Sequence, residues 1–319
     1  MTEQQIRRIL TIDGGGIKGV FPASFLASIE DTIGDKVSNY FDLIVGTSTG
    51  GIIALALGIG LSAKEILEFY EALGFEVFKG NQLLNVIRQI GFSKYRHQPL
   101  KTSLESKFGN RRLGESQKRL VIPSVNLENG EIYVYKTSHH PRLQRDYKKS
   151  IVEVALATSA APSYFPTQVN SSGTPLIDGG LFANNPMGLA VVEAIGMLNW
   201  DRQSLKILSL GCTKEPLDIN KGRKYSLGFG YWGIKIVGVF MAAQSSVSLG
   251  TAQLLAGHEN VIRIDPVVPR NRFGIDTIQE IQSLKGLGDS EARKALPKLC
   301  EIFFNGQKVE NFEPYFKLS

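Results

Sequence analysis

The sequence of 319 residues contains only two cysteines, Cys212 and Cys300, and only four histidines. Two cysteines so far apart exclude a disulfide framework or a cysteine-rich metal cluster and favour a reducing compartment. Long apolar runs are also missing. The longest, from Tyr231 to Ala243, is shorter than the ~20 residues that span a bilayer, and it contains Lys235. The opening segment Met1–Arg8 lacks the apolar core of a signal peptide. A cytoplasmic protein is the expectation. There is no Pro-rich or Ser-rich linker and no internal repeat, so residues 1–319 are expected to form one domain. Charge of either sign is not in large excess: 36 basic against 30 acidic residues give +6. That balance suits anionic partners such as lipid headgroups or nucleotides without calling for a nucleic-acid polymer, and a solvated basic surface accounts for it equally well.

What is present is an alternation of short apolar runs and amphipathic stretches. Strands are expected at Arg8–Ile12, Phe41–Val45, Arg119–Leu127, Glu131–Thr137, Leu176–Ile177, Lys206–Leu210 and Val261–Ile264. Helices are expected at Val20–Ile33, Gly51–Leu57, Ser62–Leu73, Ile151–Thr158 and Met187–Leu198. Ser62 and Glu65 are spaced as a capping box, and Asn129-Gly130 signals a hairpin. Strands separated by helices imply a three-layer α/β/α sandwich around a mostly parallel sheet, with one antiparallel hairpin.

Three glycine-rich turns follow strands. Gly46-Thr47-Ser48-Thr49-Gly50 stands between an apolar strand and an apolar helix. A serine on such a turn is thrust clear of the sheet, and the helix start directs amides and dipole at developing negative charge. Asp13-Gly14-Gly15-Gly16-Ile17-Lys18-Gly19 offers backbone N–H groups unobstructed by side chains, as an oxyanion hole needs, with Lys18 adding positive charge. The same loop matches the dinucleotide fingerprint Gly14-x-Gly16-x-x-Gly19, with Asp35 where a ribose-binding acid falls. The serine-bearing turn favours the hydrolase, because a dinucleotide fold gives it no role. The third turn, Asp178-Gly179-Gly180, places a carboxylate at the end of a short apolar strand, where it can act as a base.

Together with Ala157-Thr158-Ser159-Ala160-Ala161-Pro162, these segments resemble the patatin-like phospholipase family, most strongly over residues 8–200. The resemblance implies hydrolysis of fatty-acyl esters of membrane phospholipids through an acyl-enzyme. Ser48 would be the nucleophile and Asp178 its sole partner. Gly14, Gly15 and Gly16, with Lys18 beside them, would form the oxyanion hole. No metal or organic cofactor is implied. Short bacterial relatives include antiviral effector phospholipases, so a cyclic nucleotide is an expected activator.

A Ser-His-Asp triad is the competing arrangement, since Ser48, Asp178 and His258 stand in α/β-hydrolase order. His258 follows a glycine after an apolar helix, where helix capping is the ordinary role. His139-His140 reads as a solvated loop pair. The stretch Phe229–Ala256 reads as a lid, a membrane-docking face or a core helix. Peripheral contact with the inner membrane is expected from it and from two basic clusters. These are Arg142, Arg145, Lys148 and Lys149, and Lys221, Arg223 and Lys224.

Overall fold

A computed structural model describes residues 5–77, 92–233 and 235–318. Residues 1–4 of the opening segment, and residue 234 within both the Tyr231–Ala243 run and Phe229–Ala256, lie outside the described residues.

The strands are β1 (Arg7–Ile12), β2 (Leu43–Gly46), β3 (Arg119–Asn126), β4 (Ile132–Lys136), β5 (Gln168–Val169), β6 (Pro175–Asp178), β7 (Leu205–Leu210) and β8 (Val261–Ile264). They form one sheet in the order β5-β6-β3-β2-β1-β7-β8, with β4 added to β3. β1 is central because it is apolar towards both sides. Ile9 packs into one core, and Leu10 and Ile12 pack into the other.

Helices α1 (Val20–Ile33), α2 (Thr49–Gly58), α3 (Ala63–Val77), α4 (His97–Phe108) and α5 (Ile151–Thr158) cover the Leu10 face. Beyond the short α6 (Gly180–Ala183), α7 (Met187–Val192) packs on the Ile9 face. The short α8 (Phe229–Trp232) precedes α9 (Lys235–Ala256), which joins α7 there, and α10 (Ile281–Ile302) returns to α1. The three-layer α/β/α sandwich is therefore present. Ser62 starts α3 as a capping box: Ser62 Oγ accepts from Glu65 N at 3.2 Å, and Glu65 Oε2 accepts from Ser62 N at 2.9 Å.

The sheet differs from expectation in its antiparallel part. Besides the β3–β4 hairpin, β6 runs antiparallel to β3 and β5 to β6. The register has a structural consequence. Val121 pairs with both Val45 of β2 and Lys136 of β4, and Ser124 pairs with both Tyr133 of β4 and Asp178 of β6. β2 and β6 therefore share one edge of β3, approach it from opposite directions, and point their C-terminal ends at each other. Pro123 sits at the gap between them, where its missing N–H deprives no partner strand.

Candidate active site

Ser48 leaves β2 and caps α2 with φ 54° and ψ −122°, a conformation that a non-glycine residue rarely holds. The turn closes only with glycine on either side of it. A Cβ on Gly46 would lie 2.1 Å from Gly50 O, and one on Gly50 would lie 2.2 Å from Ile12 O. Ser48 N–H donates to Thr158 Oγ1 at 3.0 Å, and that hydroxyl donates to Pro123 O at 2.6 Å.

Asp178 arrives from the facing strand end. Ser48 Oγ donates to Asp178 Oδ2 at 2.6 Å, and Gly180 N–H donates to Asp178 Oδ1 at 2.7 Å. Both side chains are buried. Burial pushes the Asp178 carboxyl up to about 6, against the hydrogen bonds from Ser48 and Gly180. The result is a carboxylate that is ionised at neutral pH yet basic enough to take a hydroxyl proton in concert with attack.

The loop after β1 borders this pair. A Cβ on Gly14 would sit 3.2 Å from Ser48 Cβ. The Gly14 N–H is committed to Asn184 O at 3.0 Å, that of Ile17 to Ile275 O, and that of Lys18 to Gly15 O. Among the described residues no carbonyl takes the N–H of Gly15 or Gly16. The N–H groups of this loop without a backbone acceptor among the described residues thus narrow to those of Gly15 and Gly16, and Gly14 walls the space beside Ser48. Lys18 Nζ points to Thr213 O at 3.5 Å and lines the same space.

A cleft of about 1280 Å³ opens over Ser48 and Asp178, lined on its apolar side by Ile52, Leu73, Leu100, Phe165, Met241 and Leu249. Its size and apolar lining suit an alkyl chain. Met241 and Leu249 come from α9, whose buried residues are Ser248, Ala252 and Ala256. The first half of α9 exposes Ile236, Val237 and Phe240, and Phe229 before it is 90% exposed. The core-helix reading of Phe229–Ala256 therefore holds for the second half of α9, which packs against α7, and fails for the stretch before it.

The family model for patatin-like phospholipases matches residues 10–191, more than half of the chain. The chain belongs to the patatin-like phospholipase family. It is 32% identical over 307 residues to a cGAMP-activated phospholipase of Pseudomonas aeruginosa, covering 93% of this chain and 91% of that one. A cGAMP-activated phospholipase of Escherichia coli is 31% identical over 330 residues, covering 96% and 92%. One of Vibrio cholerae is 34% identical over 293 residues, covering 82% of each.

Within this patatin-like chain the competing readings fail on geometry. His258 precedes β8, which runs parallel to β7 and β1. It lies at the edge where the parallel strands begin, while Ser48 lies where they end. Its role is local: Gly257, with φ 94°, ends α9, and His258 opens a short 3-10 turn. Asp35 precedes β2 and pairs with Lys308 at 2.7 Å, on the wrong side of the strand for a ribose-binding acid. The dinucleotide reading of Gly14–Gly19 has no second element.

Two surface expectations also change. His139 is buried, sharing Thr137 Oγ1 at 2.8 Å and Glu193 Oε1 at 2.8 Å. Lys149 is tied to Ser171, Ser172 and Glu153, and Arg145 to Asp146. Two of the four residues of the first basic cluster are thus tied to neighbouring acids, whereas Lys221, Arg223 and Lys224 make no ion pair among the described residues.

Sequence reasoning gave no role to Thr158 or Tyr70. Tyr70 OH accepts from Thr49 Oγ1 at 2.6 Å and donates to Thr49 O at 2.8 Å, clamping the residue after Ser48. A tyrosine on the buried stripe of α3 reads as core, so only the fold brings it to this turn.

Proposed function

We propose that this chain is a phospholipase whose Ser48 attacks a fatty-acyl ester, with Asp178 as its only base. The observation that carries the reading is the 2.6 Å Ser48–Asp178 hydrogen bond at the foot of an apolar cleft. Asp178 Oδ2 takes the Ser48 proton as Oγ bonds to the acyl carbon. The carbonyl oxygen becomes an oxyanion facing the N–H groups of Gly15 and Gly16. The C–O bond to the lysolipid breaks, and Asp178 returns the proton to the departing oxygen. Water then enters, Asp178 accepts its proton, and the hydroxide oxygen displaces Ser48 Oγ, which is reprotonated. A fatty acid leaves.

The relatives named for activation by cGAMP support cGAMP, or a close cyclic dinucleotide, as the switch here. The reading treats residues 1–319 as one catalytic unit. Strands β7 and β8, beyond the matched 10–191, extend the same sheet. It also has the chain working from the cytoplasm at the inner membrane. The exposed apolar residues of α8 and α9, together with Lys221, Arg223 and Lys224, which make no ion pair among the described residues, support docking on an anionic bilayer.

The test is fatty-acid release from vesicles of bacterial phospholipid, followed by mass spectrometry with and without cGAMP. Wild type should release acid with cGAMP, and Ser48→Ala should release none. Equal release by the two proteins would overturn the reading. Sedimentation with neutral and with anionic vesicles, using Phe240→Ser beside wild type, tests docking. Recovery that depends on neither lipid charge nor Phe240 would sink that part.

A further inference from the structure

The strand β8 reads Val261-Ile262-Arg263-Ile264, a guanidinium set in an apolar run. Such a charge is costly unless paired and hydrogen-bonded. Arg263 is both. Nη1 donates to Asp13 Oδ1 at 2.7 Å and to Ser209 Oγ at 2.7 Å. Nη2 donates to Asp13 Oδ2 at 2.5 Å and to Asp265 Oδ2 at 2.9 Å.

The register explains the reach. Arg263 lies beside Ser209 of β7, Ser209 lies beside Thr11 of β1, and Asp13 is the next residue beyond Thr11 on that face. The guanidinium thus crosses two strands and grips, through a bidentate fork, the residue from which Gly14–Gly16 springs. Asp13 is faced by Arg263 and Asp265 from the β8 end, by Lys18 from the loop, and by the Cys212 thiol, which burial holds neutral. Without Arg263, a buried carboxylate would stand behind the amides that meet the oxyanion. Negative charge at that place opposes the charge that acyl transfer develops.

We infer that Arg263 is a positioning residue for acyl transfer: by gripping and neutralising Asp13 it aims the Gly15 and Gly16 N–H groups. The inference rests on the Ser48 reading above.

The test measures the rate at which a fluorophosphonate labels Ser48, together with kcat and KM on a soluble ester, with cGAMP present. Arg263→Met should slow labelling and kcat by about 10²-fold, the scale of one lost oxyanion donor. KM should move by less than about 3-fold. Arg263→Lys, which pairs one oxygen of Asp13, should fall between. In Asp13→Asn/Arg263→Met the carboxylate next to the glycine loop is gone and only Asp265 is left without its partner, so the rate should recover by about 10-fold over Arg263→Met. The ratio of wild-type to Arg263→Met rate should rise with pH as Asp13 ionises, because titration of Asp178 is common to both.

A double variant no faster than Arg263→Met, or a flat ratio across pH, overturns the inference and leaves Arg263 as scaffold. A labelled wild type with Arg263→Met labelled equally fast also overturns this inference alone. A wild type that takes no phosphonate at Ser48 overturns the Ser48 reading as well.

Discussion

Thr158 Oγ1 accepts a hydrogen bond from the Ser48 N–H and donates one to Pro123 O, so the amide of the serine is occupied before any substrate arrives. This bond also braces the left-handed φ of Ser48. Thr158→Val removes it and leaves two buried backbone groups unsatisfied. Unfolding in urea should show a loss of about 1–3 kcal/mol. We expect kcat to fall by about 10-fold, the factor that follows from ~1.4 kcal/mol of lost alignment, with Thr158→Ser restoring most of it. An unchanged kcat in the valine variant would show that the turn holds Ser48 unaided.

Asp178→Asn should lower kcat by about 10³-fold or more, since the hydroxyl loses its base. His258→Ala should leave kcat within about 2-fold, because His258 lies at the other edge of the sheet and a surface change there disturbs little. In wild type, log kcat/KM should climb with pH and level off near 6, as Asp178 gives up its proton. A large loss in His258→Ala would restore the triad.

The same carboxyl makes stability depend on pH. Its folded value of about 6 lies above the ordinary 3.8, so between those values the native state holds more protons than the unfolded chain. Stability from this group is therefore greatest at low pH and declines as pH rises towards 6. Above that, ionised and buried Asp178 costs on the order of 3 kcal/mol. Asp178→Asn should thus be more stable than wild type at pH 8, with the difference shrinking towards pH 4. Urea unfolding of both proteins at the two pH values measures it, and a gap independent of pH would contradict it.

Glycine at position 16 is needed for two reasons that can be separated. Gly16 has φ 60°, and a Cβ there would lie 2.3 Å from Ile275 O, whereas Gly34 has φ 68° and open space around it. Gly34→Ala should cost about 1 kcal/mol, the backbone term alone. Gly16→Ala should cost about 2–4 kcal/mol by adding a clash with main chain, and it should slow fluorophosphonate labelling of Ser48. Equal melting shifts for the two variants would show that the loop yields freely.

The strands that carry chemistry were legible because each ends in a glycine-rich turn. Val20–Ile33 and Ile151–Thr158 were readable because their apolar periodicity agrees with their caps. The antiparallel entry of β6 was not readable. Four residues, Pro175–Asp178, carry no direction, and only pairing with β3 supplies one. Burial of His139 was hidden for a similar reason. Its partner Glu193 lies 54 positions away, on a turn of π-helix that continues α7. Arg263 was the readable signal that went unused, since a lone charge in an apolar strand asks for a partner.

The head-on meeting of β2 and β6 has a consequence for how such a site can vary. Ser48 and Asp178 each hang from the end of a hydrogen-bonded ladder, so their separation follows the pleat and is not continuously adjustable. Sliding β6 by one position along β3 turns Asp178 to the opposite face, and sliding it by two carries the carboxylate away by roughly 7 Å. Small drift in the connecting loops leaves the pair intact, whereas any change of register abolishes it outright. The Ser48–Asp178 pair is in this sense digital: it is either in step or absent.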